Sequence, residues 1–319
     1  MSELHLRATA EHTPGTWRLA LTEPPATQGD QPRVLATLLV VDQAGLQEPR
    51  HWFHLGRALH ASAELNLFRL QQTLLLGSDL CGAAELAELR ADAGRAEAPR
   101  LLVEAALAWL AMRRMRAERQ GAASPGARVF AELPGIRDAH GHSPFWQGLG
   151  QHCLPMGPAQ AERRFGAAWV RGLAPLLPRQ PVMVALLSDA AQTALSRPAE
   201  DARPWADALA ANGLHAGQHV TVFDGGPVHE GHLDAPVARG GRWLSTAAVD
   251  VTPTSRCWLA LEGDSGLRLA AARVDGEELQ MSQASLAQLG TTAATRLWAA
   301  PASAGAEAVA GHSRSSEQP

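Results

Sequence analysis

The sequence H-G-H-S-P-F-W-Q-G-L-G-Q-H-C-L-P-M occupies residues 140–156, and the rest of the chain is interpreted around it. It follows an apparent strand, Arg128 to Leu133, and precedes an Arg-rich run, Ala159 to Leu177, that is predicted to be helical. Pro144 fixes its own φ angle and favours an extended Ser143, so a turn begins there. Two imidazoles beside an aromatic pair, at the end of a strand, indicate a functional site. The alternative is a rigid loop with solvated histidines and an aromatic anchor.

Part of this stretch, S-P-F-W-Q-G-L-G at residues 143–150, resembles a signature of the bacterial arginine N-succinyltransferases. Three further segments resemble the same family in the same order: H-A-S-A-E-L-N at 60–66, L-L-S-D-A-A-Q at 186–192 and V-F-D-G-G-P at 222–227. The resemblance extends over roughly residues 15–301. Four collinear matches form a specific signal, so the chain is identified as a member of this family.

The resemblance implies an α/β, GNAT-like acyl-CoA N-acyltransferase fold, with succinyl-CoA as acyl donor and L-arginine, or ornithine, as acceptor. The implied reaction is succinyl transfer to the α-amine of L-arginine in arginine catabolism. A GNAT-like domain is expected over residues 1–233, a small β subdomain over 234–301 and a disordered tail over 302–319. The GNAT-like domain is expected to be shortened at its amino end, because few residues precede a strand at Trp17.

The resemblance also implies residues that bind CoA. A Gly-rich turn that opens a helix normally holds the pyrophosphate through main-chain N–H groups. In this chain the corresponding segment is R-A-E-A-P-R, and Leu89, Arg95 and Arg100 are the implied CoA-binding residues. Ala98 and Arg100 stand at the two glycine positions, and Pro99 removes one N–H donor. Arg100 supplies positive charge in place of that donor.

The catalytic His that the resemblance implies corresponds to Ala199. The chain contains no Tyr, so the phenolic acid usual in this fold is absent as well. The nearby side chains of suitable chemistry are His140, His142, Glu200 and Asp201, and the first two are taken as the candidate catalytic residues. The residues assigned to substrate binding are His60, Asn66 and Asp224. Two readings therefore stay open: an active enzyme, or a catalytically silent subunit that stabilises an active paralogue.

Composition narrows the partners of this 319-residue chain. A net charge of -4 and a pI near 6.4 favour neither nucleic acid nor an anionic membrane. Three widely spaced cysteines without a C-x-x-C motif indicate reduced thiols, and with no signal peptide evident a cytoplasmic location is expected. The H-x-x-H pair in residues 51–54 lacks a third ligand, so no metal is predicted. Family members can act as paired subunits, so a homo- or hetero-oligomer with a paralogous subunit is expected.

Periodicity predicts the main elements. A helix is predicted for Leu101 to Arg119, where Leu102, Ala106, Trp109 and Met112 recur at helical spacing. The other predicted helices are 159–177, 201–212 and 282–289. The predicted strands are 17–21, 33–41, 73–76, 84–90, 128–133, 182–187, 218–223, 257–261 and 267–274.

Overall fold

A computed structural model describes residues 4–25, 27, 30–122, 125–166, 168–233 and 241–303. The strands within them are β1 Leu4–Ala10, β2 Thr16–Glu23, β3 Arg33–Val41, β4 Trp52–Ser62, β5 Leu67–Gly77, β6 Ala84–Ala91, β7 Arg128–Glu132, β8 Val182–Met183, β9 His215–Thr221, β10 Pro227–His232, β11 Arg242–Val249, β12 Arg256–Leu261, β13 Leu267–Ala271, β14 Arg273–Asp275, β15 Glu278–Ser282 and β16 Arg296–Pro301. The helices are α1 Ala98–Gln120, α2 Gln151–Cys153, α3 Pro158–Phe165, α4 Ala168–Leu173, α5 Asp189–Ala194, α6 Arg203–Ala211 and α7 Gln283–Gln288, with a π-helical turn at Trp146–Gly150 and 3₁₀ turns at Ala174–Leu176, Val184–Leu186 and Glu200–Ala202.

All of the described strands belong to one sheet, in the order β14-β15-β11-β16-β12-β13-β1-β2-β3-β6-β7-β10-β9-β4-β5-β8. Most neighbours are antiparallel, whereas β6 pairs with β7, and β11 with β15, in parallel. A parallel pair needs a crossover connection, and α1 supplies it between β6 and β7. The protein is therefore mixed α/β, as expected for the coarse fold class.

The apolar side chains form separate clusters on this sheet. The first core lies under α1 and includes Leu102 and Trp109, with α6 packed beside the helix. The second core lies around Phe145 and Trp146 and includes Phe53 and residues of the covering segment that follows. A further cluster joins α7 to the carboxyl-terminal strands.

The helix predicted from residue 101 to 119 is confirmed as α1. It begins three residues earlier, with Pro99 in its first turn, where a missing N–H costs nothing. It ends at Gly121, whose φ of 63° lets its N–H reach the Ala117 and Glu118 carbonyls. Strands β2, β3, β6 and β7 also match their predicted positions.

Two predictions of local structure are wrong. The strand predicted for residues 182–187 ends after Met183. The chain then forms a 3₁₀ turn at Val184–Leu186 and enters α5, whose amino end Ser188 caps. Leu186 is therefore 78% exposed. The helix predicted for 159–177 is broken at Gly166, whose φ is 62°. The H-x-x-H pair lies at the beginning of β4, with His51 just before the strand and His54 within it.

Strand β1 was not predicted, and it pairs with both β2 and β13. The sheet thus continues from the amino-terminal strands into the carboxyl-terminal ones. The boundary between a GNAT-like domain and a β subdomain at residues 233 and 234 stays a prediction. Most of the tail expected to be disordered lies outside the described residues. No described helix is both long and apolar enough to cross a membrane.

Candidate functional site

Strands β6 and β7 are held together at one end only. Their register contains the pairs Ala84↔Val129 and Glu85↔Phe130, and both strands then continue without further pairing to each other. The register between β3 and β6 shifts near Glu88, whose φ of 48° marks a bulge. The carboxyl ends of these two parallel strands are therefore not paired with each other, and this unpaired region is called the gap below. Ligands commonly bind beyond the carboxyl ends of the strands in α/β sheets.

The amino terminus of α1 follows β6 at this end of the sheet. Arg95 donates to Glu23 and, at 3.4 Å, to Glu97, so its charge is already neutralised. Arg100 is half-buried, and its guanidinium has no ion-pair partner among the described residues. Ala98 is buried, and Leu89 packs against the first core. Of the implied CoA-binding residues, only Arg100 offers an unneutralised cation beside the positive helix end.

Ala199 lies beside the segment that leaves β7. Its N–H donates to the Pro134 carbonyl at 2.8 Å, and Pro198 forms a β-bridge with Gly135. The position that the resemblance assigns to a catalytic His is therefore at the carboxyl end of β7, as an active-site position would be. The Ala199 methyl cannot transfer a proton there.

His140 and His142 lie on a surface turn after β7. The Asp138 carboxylate accepts their main-chain N–H groups at 2.9 and 2.8 Å, and these bonds, with that from His142 first, lower the pKa of Asp138. The His142 side chain is 60% exposed, and the two imidazole centroids are 6.1 Å apart. No described hydrogen bond links either ring to the α1 terminus. The turn is preorganised, but it faces solvent.

Asp224 is buried in the D-G-G-P turn. It accepts the Thr221 hydroxyl at 2.6 Å, the Gly226 N–H at 3.1 Å and an Arg137 N–H at 2.8 Å. Through these hydrogen bonds the Asp224 carboxylate stabilises the turn and fixes the loop that carries Arg137. His60 and Asn66, the other residues assigned to substrate binding, are exposed at the tip of the β4–β5 hairpin. No described contact brings them to Asp224.

Three of the four family segments converge in the second core. A Cβ on Gly225 would lie 2.7 Å from the Phe145 ring, and one on Gly148 would lie 2.6 Å from the Ala191 methyl. Close packing between these segments thus explains the glycines and the small residue. The fourth segment is the exposed hairpin tip.

A cluster that sequence analysis missed lies on the sheet face opposite α1. Arg50 donates to Glu85 and, at 2.5 Å, to Glu132, while the Trp52 indole donates to Glu132 at 2.6 Å. Burial raises the pKa of Glu85, Arg50 opposes that shift, and the Glu132 charge adds to it. Arg50 and Glu132 line a cavity of about 50 Å³ that reaches Phe223. Arg50 is 35 residues from Glu85 and 82 residues from Glu132 in the sequence, so no local sequence motif indicated the cluster.

A second polar network surrounds His219 near the start of β7. Its Nδ1 lies 2.7 Å from Glu230 and its Nε2 lies 3.2 Å from Asp79. Both ring nitrogens must donate, so the ring is an imidazolium. Burial lowers the pKa of His219, but these hydrogen bonds raise it more, and the net pKa lies above 6.5.

This network predicts a pH-dependent stability. Because the folded-state pKa of His219 is raised, its stabilising contribution is complete below pH 6.5 and is lost as the pH rises through that pKa. Urea unfolding should therefore show a larger loss of stability from mildly acidic to mildly alkaline pH in the wild type than in His219→Gln. The exposed His12→Gln is the control. Equal pH slopes in the wild type and His219→Gln would contradict the imidazolium assignment.

Among the described residues, no cluster of three or more His, Cys, Asp or Glu side chains is arranged to hold a metal ion.

The architecture is that of a mixed α/β protein on one large sheet, and it is similar to a solved structure. The structure of arginine/ornithine succinyltransferase subunit AI from Pseudomonas aeruginosa matches with a TM-score of 0.67 and 20% identity, over 89% of this chain and 81% of that chain. At this identity the likeness shows the fold alone.

Sequence comparison shows the family. The family model described as arginine N-succinyltransferase beta subunit matches residues 26–236. An arginine N-succinyltransferase of Yersinia pestis (strain Pestoides F) is 29% identical over 243 residues, or 73% of this chain and 67% of the relative. One of Shigella boydii serotype 18 is 29% identical over 287 residues, or 86% and 80%. The chain belongs to the arginine N-succinyltransferase family, which confirms the expectation drawn from the four segments.

Proposed function

We propose that this chain is a GNAT-type N-acyltransferase that transfers the succinyl group of succinyl-CoA to the α-amine of L-arginine, with ornithine as a second acceptor. The observation that carries the proposal is the gap between parallel β6 and β7, bridged by α1. An extended acyl-CoA arm lies between the two strand ends, and its pyrophosphate lies at the α1 terminus. The succinyl group and the arginine acceptor are proposed from the name of the relatives, arginine N-succinyltransferase.

The reaction needs little covalent chemistry from the protein. The neutral amine nitrogen attacks the thioester carbonyl, the new C–N bond forms, the C–S bond breaks, and CoA leaves as a thiol after gaining the proton that the amine loses. Main-chain N–H groups of β6 beyond its pairing with β7 are proposed to stabilise the carbonyl oxygen. His140 and His142 are the proposed proton carriers, since their turn follows β7 and position 199 is Ala.

The geometry also limits how the pyrophosphate is held. Pro99 offers no N–H and Arg95 is neutralised by Glu23, so the helix dipole and Arg100 are the remaining sources of positive charge in the implied CoA segment. Arg100 is therefore proposed as the main side chain for phosphate binding, and Arg95 as a residue that fixes the segment to β2. Leu89 is proposed to line the pantetheine side of the gap.

This assignment predicts a specific loss of affinity. Arg100→Gln should weaken CoA binding about tenfold, because one charge-assisted contact to phosphate is removed. Calorimetric titration with CoA and with succinyl-CoA measures the effect. Arg114→Gln is the matched control, since Arg114 lies on the same helix but pairs with Glu118. Equal affinities for the wild type and Arg100→Gln would exclude this phosphate site.

We further propose a cytoplasmic location and assembly with a second subunit, as expected from the cysteine pattern and the family. His60, Asn66 and Asp224 stay proposed substrate-binding residues. The contacts of Asp224 support an indirect role, in which it holds the turn beside the acceptor.

A further inference from the structure

Strands β4 and β5 extend beyond the sheet as a two-stranded ribbon. β4 pairs with β9 only through Trp52–His54, and β5 pairs with β8 only through Thr73 and Leu74. From Leu55 to Gln72, the segment called the ribbon below, the paired residues have no strand partner but each other in the described part of the chain. Isolated ribbons of this kind are only marginally stable in water, and their open edges invite a partner.

One face of the ribbon is apolar and exposed. Residues directly opposite each other in a sheet share a face, and the regular register pairs Leu59 with Leu70 and Ala61 with Phe68. Phe68, Leu70 and Leu59 are 74%, 58% and 56% exposed. The opposite face is more polar, with His60 paired to Arg69 and Ser62 paired to Leu67, which is 48% exposed. The ribbon is thus amphipathic, with its apolar side uncovered.

This apolar face is the continuation of a buried one. Following alternate residues from Leu59 towards the base leads to Leu55 and Phe53, which pair with Leu74 and Leu76. Phe53 and Leu74 are fully buried in the second core, and the other two pack against it. The same face of the ribbon is therefore buried in the second core at the base and exposed to solvent at the tip.

We propose that this face binds the same face of a second copy of the chain, in an antiparallel arrangement about a two-fold axis. Arg57 lies on the face towards the base, and Glu64 lies in the turn at the tip. Neither forms an ion pair among the described residues. Along the ribbon, the point halfway between Arg57 and Glu64 lies between Leu59 and Ala61. An antiparallel copy centred there places each Arg57 opposite the other chain's Glu64, so the surface is self-complementary in charge and in hydrophobicity.

The apolar area suits such an interface. The exposed parts of Leu59, Ala61, Leu65, Phe68 and Leu70 amount to roughly 500 Å², against about 800 Å² that each partner buries in a stable complex. The apolar share is therefore close to that of a dimer interface, with Arg57 and Glu64 in the polar rim. An apolar patch of this size is at the upper end of what monomers expose, and such patches are often functional.

Sedimentation velocity of the full chain over a concentration series tests the proposal. We expect a monomer–dimer equilibrium whose dissociation constant rises at least about tenfold in Phe68→Glu and in Leu70→Glu. Val251→Glu is the matched control, because Val251 is 79% exposed outside the ribbon. Both ribbon side chains are exposed, so urea unfolding midpoints should stay near the wild-type value and show that each variant folds.

Charge reversal tests the antiparallel arrangement. Arg57→Glu and Glu64→Arg should each weaken the dimer about tenfold, because like charges then face each other twice. The double variant should recover most of the wild-type affinity. A double variant as weak as the single ones would overturn the arrangement. A wild type that stays monomeric, that dimerises unaffected by Phe68→Glu, or that associates only with a different subunit would overturn the binding of a second copy.

Discussion

Gly226→Ala is expected to lower the free energy of unfolding by about 3 kcal/mol, the upper part of the usual range for overpacking. A Cβ at this position would lie 2.6 Å from the Gly135 nitrogen and would also meet the Leu133 carbonyl oxygen. Both are main-chain atoms, so neither can rotate away. The Gly226 N–H donates to Thr221 and to Asp224, both at 3.1 Å, and a backbone shift would weaken these bonds. The urea unfolding midpoint measures the loss.

The same substitution should also weaken CoA binding, because Leu133 and Gly135 form the segment that leaves β7 at the proposed gap. Gly157→Ala is the control, since a Cβ at Gly157 would meet no atom within 4 Å and its φ is -75°. A Gly226→Ala protein as stable as the Gly157→Ala protein would show that the turn does not pack as described.

Glu104→Ala is expected to cost about 3–5 kcal/mol, because about 1–3 kcal/mol for a buried donor left without an acceptor adds to about 2 kcal/mol for an emptied core position. Glu104 is fully buried on α1 and accepts the Trp258 indole N–H at 2.8 Å and the Ser303 N–H at 3.3 Å. Its loss leaves the fully buried indole N–H of β12 without an acceptor and creates a cavity. The carboxylate thus joins α1 to the carboxyl-terminal strands.

Glu104→Gln keeps one acceptor oxygen and should fall between the wild type and Glu104→Ala. Glu118→Ala, at the exposed end of the same helix, should lower the free energy of unfolding by only about 0.5 kcal/mol or less, because the pair of Glu118 with Arg114 is solvated. Urea unfolding compares all three. A Glu104→Ala protein no less stable than Glu118→Ala would contradict the buried junction.

The elements with strong periodicity were predictable from sequence. The spacing of Leu102, Trp109 and Met112 identified α1, and the apolar run of residues 33–41 identified β3. The segment 182–187 is as apolar as β3, yet it turns, because the cap at Ser188 and the short pairing with β5 override its propensity. Local pattern cannot show how much partner strand is available.

The site depended on contacts between distant residues. Arg50 meets Glu85 and Glu132 only because β6 and β7 are neighbours in the sheet. The resemblance located Arg95 and Arg100 correctly at a helix terminus, but it could not show that Glu23 neutralises the first of them. Charge pairing across strands is a property of the register, and the register was not predictable from one sequence.

The central claim, that this chain is an arginine N-succinyltransferase, is tested most directly by turnover of the purified protein. Succinyl-CoA is mixed with the chain, with and without L-arginine, and free CoA thiol and N-succinylarginine are measured together. The account predicts arginine-dependent thiol release with an equal amount of N-succinylarginine, reduced in His140→Ala or His142→Ala. Saturable binding of succinyl-CoA without product, for arginine or ornithine, would contradict the claim and identify a catalytically silent subunit.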